Sequence, residues 1–82
     1  MTKKSKREER IRNNPKGVSF DDLRGILENH GFELDHGEGS HNVFIHEKTR
    51  KSLTIPKSGN EVKPVYVKQA LAAIDELEDE DD

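Results

Sequence analysis

The chain contains no cysteine. Disulfide staples and thiolate metal sites are therefore excluded. A small secreted fold usually needs such staples. No apolar run approaches the roughly 20 residues of a membrane span. The N-terminus is basic but lacks the apolar h-region of a secretory signal. A cytoplasmic protein with no membrane attachment is the default expectation. Apolar residues are scarce, at 29% against 38% charged. Such a composition in 82 residues supports one domain at most, with part of the chain solvated tail. Burial stabilises a domain of this size only marginally.

The charged residues are unevenly placed. Residues 1–12 carry a net +4, residues 75–82 carry −7, and the stretch between is neutral. The overall charge of −3 is therefore a poor guide to a partner, because the excess sits in a tail.

Residues 1–17 form a basic segment. Glu8 and Arg12 have the i, i+4 spacing that favours a short helix. After Met1, Ile11 is its one apolar residue before the Asn13-Asn14-Pro15-Lys16-Gly17 breaker, so the helix is expected frayed or docked through Ile11 alone. The folded domain is expected over 18–77. Ser19 is a good helix N-cap, Asp21 and Asp22 suit the positive first turn, and Ser19-x-x-Asp22 approximates a capping box. Phe20, Leu23, Ile26, Leu27 and His30 recur at helical spacing, and Gly31 is a natural stop. Three short strands follow, at 32–35, 41–46 and 52–55. Pro64 suits a first helical position, and Val67, Ala70, Leu71, Ile74 and Leu77 make an apolar face. Acidic residues oppose a helix C-terminus, so fraying is expected after Leu77 and a disordered acidic tail over 78–82. The expected class is α+β, in the order α-β-β-β-α. A three-stranded antiparallel sheet would have helices on one face and leave the other open. Double-stranded-RNA-binding domains have this order, although fold alone does not give function.

The turn into the middle strand holds the most suggestive residues. Gly39 allows close backbone approach, Ser40 offers donors to an anion, and His41 carries an imidazole, the side chain best suited to proton transfer. From the pattern alone, His41 is also readable as the mere start of a strand. His36 and His41 flank one turn and could face each other across the hairpin. His46 is five residues from His41, so in a regular strand the two point to opposite faces. The four histidines have no metal-ligand spacing. Arg50, Lys51 and Lys57, with Lys48, Lys63 and Lys68, are phosphate-binding candidates or ordinary surface charges. Phe44 alternates with Val43 and Ile45, so one set lies under the helices and the other outside. If outside, Phe44 could stack on a base or anchor a partner.

An ordered series of short matches runs through this domain. It comprises Phe20-x-x-Leu23…Leu27, Gly31-Phe32, Gly39-Ser40-His41-x-x-Phe44, Leu53-Thr54-Ile55-Pro56, Glu61-Val62-Lys63-Pro64 and Val67-Lys68-Gln69-Ala70-Leu71. Together these resemble the HicA toxin family of bacterial toxin–antitoxin pairs over about residues 19–77. The resemblance implies a double-stranded-RNA-binding-like fold and mRNA cleavage. It also implies a HicB-type antitoxin that covers the active surface, and a catalytic role for His41. Two positions depart from the pattern. Many relatives carry a histidine shortly after the strand-three proline, where this chain reads Lys57-Ser58-Gly59. Relatives often carry a basic residue where this chain has Glu38.

RNA brings its own nucleophile, the 2′-hydroxyl beside the scissile phosphate. Cleavage then needs a base for that proton, an acid for the leaving 5′-oxygen, and positive charge around phosphorus. An imidazole suits either proton transfer, worth about 10²–10⁴-fold in rate, and no metal or small-molecule cofactor is required. Products would be a 2′,3′-cyclic phosphate and a 5′-hydroxyl. Gly39, Ser40, Phe44, Arg50, Lys51 and Lys57 are the expected RNA contacts. Two further readings are a non-catalytic RNA-binding module of the same fold and a protein-interaction domain that docks through the open sheet face.

Overall fold

The computed structural model describes the backbone of residues 6–80 and the side chains of residues 6–77. The elements run α1 (Lys6–Asn13), β1 (Val18–Ser19), α2 (Phe20–Asn29), β2 (Phe32–Glu38), β3 (His41–His46), β4 (Ser52–Pro56), β5 (Glu61–Val62) and α3 (Pro64–Glu80). Strands β2-β3-β4 make an antiparallel sheet with β3 in the middle. The α2-β2-β3-β4-α3 core is thus the expected α+β order.

Helix α2 begins where its residues say it should. Ser19 has extended backbone, and its hydroxyl accepts from Asp22 N at 3.1 Å, satisfying one of the free donors of the first turn. The reciprocal half of a capping box is replaced, because the Asp22 carboxylate faces Arg7 at 3.5 Å and Arg10 at 3.6 Å. Gly31 ends the helix with φ +95°, and a Cβ there would stand 2.7 Å from His46 Nε2. Only glycine meets both demands.

Phe20, Leu23, Ile26 and Leu27 of α2 pack with Val67, Ala70, Leu71 and Ile74 of α3 and with Phe32, Phe44 and Ile55 of the sheet. Both helices therefore cover one sheet face. The pair β1–β5, unforeseen in the sequence, joins Val18 to Val62 and Ser19 to Glu61. With Phe20 N donating to Asn60 O at 2.8 Å, it ties the start of α2 to the start of α3.

Helix α1 is docked through more than Ile11. Glu8 is also buried, with 1% exposure. His30 Nε2 lies 2.8 Å from Glu8 Oε1, and Arg12 Nε donates to Glu8 Oε2 at 2.9 Å. Arg12 continues to Asp75 at 3.0 Å. Burial pushes the Glu8 carboxyl up, but the bonds and charges of His30 and Arg12 outweigh it and hold it below its ordinary value. Asp75, aided by Glu8, holds the Arg12 guanidinium up against its own desolvation. Part of the charge asymmetry is thus spent internally, with the basic segment folded onto acidic groups of α2 and α3. Helix α3 continues three residues past Leu77 to Glu80. The side chains of the acidic tail and residues 1–5 lie outside the described residues.

Candidate RNA-cleavage site

The middle strand sets the geometry of the open face. Phe44 is fully buried and His46 nearly so, while His41 is exposed. Alternation puts Phe44 and His46 under the helices and His41, Val43 and Ile45 on the outer face. This corrects the reading of Phe44 as an RNA contact. Its ring packs 6.0 Å from Phe20 in the core and cannot reach a base. Val43 and Ile45 form the outer apolar patch instead.

Glu38 and His41 face each other across a turn formed by Gly39 and Ser40. Gly39 has φ +62°, the glycine-first pattern of a tight hairpin whose twist matches its strands. His41 stands opposite Glu38 on one side and Pro56 on the other. Among the described residues its imidazole has no hydrogen-bond or ion-pair partner. The Ser40 carbonyl accepts from Lys57 N at 2.9 Å and Asn42 Nδ2 at 3.3 Å. The post-strand loop is thereby pinned beside the turn. Gly39, Ser40, His41 and Lys57 are thus gathered at one end of the sheet. Lys57 Nζ lies 5.0 Å from the Phe20 ring centroid, in cation–π range.

Arg50 and Lys51 do not join them. They lie beyond the Ile45–Ser52 end of the hairpin, four strand residues from His41, or roughly 14 Å at 3.4 Å per residue. Lys51 reaches toward α3, with Nζ 3.3 Å from Glu76. Arg50 lines a depression of about 170 Å³ with Glu33, Asp35 and Glu47. Its backbone has φ +62°, which closes the 47–50 turn. The expected track of cations therefore splits between the two ends of the sheet.

His36 lies where simple alternation does not put it. The ladder pairs Leu34 with Phe44 and then His36 with Val43, leaving Asp35 as an unpaired bulge residue. His36 therefore shares the outer face with Val43 and His41. Its Nδ1 is 2.7 Å from Asp35 Oδ2. The sequence hinted at this only through the two histidines flanking one turn.

Residues 20–75 match the model of a family described as the HicA toxin of bacterial toxin–antitoxin. The chain belongs to the HicA toxin family. A toxin–antitoxin family implies an antitoxin partner. No curated protein and no solved structure matches the chain. The HicA match begins at Phe20, so α1, β1 and the Ser19 cap lie outside it. The Gly39-Ser40-His41 turn and the whole β2-β3-β4 sheet lie inside it. No helix among the described residues is long and apolar enough to cross a membrane. No group of three or more His, Asp or Glu side chains among them is placed to hold a metal ion.

Proposed function

We propose that this HicA-family chain is a cytoplasmic, metal-independent endoribonuclease that cleaves mRNA through His41 and is silenced by a HicB-type antitoxin. One observation carries the reading. His41 is an exposed imidazole with no partner among the described residues, at a glycine turn, on the sheet face that the helices leave open, in a chain of a toxin family. An imidazole reachable from solvent can act as general base or general acid on a bound substrate.

Gly39 and Ser40 present backbone and hydroxyl groups to phosphate beside His41, and Lys57 adds positive charge at the same end. Arg50 and Lys51 would meet RNA only some nucleotides away. The antitoxin would cover Val43 and Ile45 together with His41, blocking RNA and burying the apolar patch in one step. A purely protein-docking role has one observation in its favour. The outer-face ladder positions include Glu33 and Glu38 but no lysine or arginine, which suits RNA poorly.

The test is induction of the wild type and His41→Ala in a bacterial host, following growth and transcript integrity. Growth arrest with transcript cleavage in the wild type alone supports catalysis by His41. Equal toxicity in both contradicts it. RNA retention without cleavage by the wild type selects a binding module.

A further inference from the structure

Cleavage by His41 alone leaves the departing 5′-oxygen without a proton. We propose that His36 is the general acid that supplies it. The Asp35 bulge turns its imidazole onto the open sheet face beside His41, with the Asp35 carboxylate on its other nitrogen. This inference rests on the ribonuclease reading above.

Three observations converge on His36. First, the four histidines divide cleanly. His30 and His46 have side chains nearly buried and bonded inside the fold, whereas His36 is 58% exposed and His41 is exposed. Second, the bulge decides the face. Phe32 and Leu34 pair with His46 and Phe44 on the helix side, so unbroken alternation would send His36 inward as well. The extra residue, Asp35, shifts the register, and His36 comes to lie opposite Val43. Bulges re-aim side chains in this way. Third, His36 and His41 become diagonal neighbours on one face. The two paired positions Val43–His36 and His41–Glu38 are consecutive on that face, and such diagonals lie about 7–8 Å apart.

Side chains rooted that far apart on one face can bring a ring nitrogen to each side of one phosphate. Attacking and leaving oxygens stand in line across phosphorus, each one hydrogen bond from its proton-transfer partner. The two nitrogens are then separated by up to roughly 9 Å. Asp35 engages Nδ1 of His36 at 2.7 Å, which leaves Nε2 to face the substrate. The Asp35 carboxylate on Nδ1 fixes the orientation of the ring, so His36 takes the acid's role and His41 the base's. His41 takes the 2′-hydroxyl proton, and the 2′-oxygen forms a bond to phosphorus. The bond from phosphorus to the 5′-oxygen breaks, and that oxygen takes the proton from His36 Nε2. A 2′,3′-cyclic phosphate and a 5′-hydroxyl result. His41 ends protonated and His36 neutral, and exchange with solvent resets both.

The test uses a short RNA containing one mapped cleavage site, made with oxygen or with sulfur at the bridging 5′ position. A thiolate departs without a proton, since thiols ionise near 8.5. The full-length wild type, His36→Ala and His41→Ala are compared on both substrates, with thermal melts to verify folding. His36→Ala is expected to slow the oxygen substrate about 10²–10⁴-fold and the sulfur substrate only a few-fold. His41→Ala is expected to slow both. If His36→Ala cleaves the oxygen substrate at the wild-type rate, or loses both substrates equally, His36 is not the acid, while the ribonuclease reading survives. If the wild type cleaves neither substrate, both the ribonuclease reading and this assignment fall.

Discussion

His41 and His46 open and close the same strand, and they show two opposite uses of one side chain. His46 is 7% exposed. Its Nε2 donates to His30 O at 2.9 Å, and its Nδ1 accepts from Lys48 N at 3.1 Å and Thr49 N at 3.2 Å. Its ring meets Phe32 edge-on at 5.2 Å. Both nitrogens are committed, the tautomer is fixed, and the ring staples the end of α2 to the β3–β4 turn. His41 is exposed and bonds nothing among the described residues, where His46 has three partners. The odd spacing between them sends one inward and one outward, so one strand supplies both a structural pin and an exposed imidazole.

Exchanging either residue should separate the two roles. The largest expected effect is on chemistry. His41→Ala should lower RNA cleavage by about 10²–10⁴-fold with the melting temperature unchanged, since the side chain bonds nothing among the described residues. His46→Ala should do the reverse. It strips three backbone groups of their partner and opens space beside Phe32, costing about 2–4 kcal/mol in denaturant melts, with cleavage per folded molecule retained. A large activity loss in folded His46→Ala would erase the contrast.

Smaller effects sharpen it. Lys57→Ala should weaken RNA binding modestly and reduce the slope of log affinity against log salt by about one phosphate contact. An unchanged slope would remove Lys57 from the RNA surface. The smallest effect concerns α1. The Glu8 carboxyl is held below its ordinary value of 4.5. Its contribution to stability is therefore complete above that value and is lost as pH falls through the lower folded value. Acid titration followed by amide exchange should show α1 releasing from His30 in that range, and Glu8→Gln should flatten the dependence. Release at neutral pH would contradict it.

Local signals are legible in this sequence and non-local ones are not. The Ser19 cap, the apolar stripe of α2, the Gly31 stop and the stripe of α3 are written within a few residues, and each element stands where they put it. The middle strand was legible, and so was the opposition of His41 and His46. Which face held Phe44 was not, because alternation fixes parity but not direction. The direction comes from packing against Phe20, which is 24 residues away. The bulge at Asp35 was invisible for a related reason. One unpaired residue shows only when the partner strand is in place, and it moves His36 to the open face. The burial of Glu8 is not legible locally, because a charged residue in a basic segment reads as surface and its partner His30 lies 22 positions away.

The chemistry of the cut ends tests the central claim most directly. Purified wild type should cleave RNA in the presence of excess chelator and leave 2′,3′-cyclic phosphate and 5′-hydroxyl termini, with no such products from His41→Ala. Cleavage that requires a divalent cation, or that leaves 5′-phosphate ends, would contradict a 2′-hydroxyl attack driven by His41.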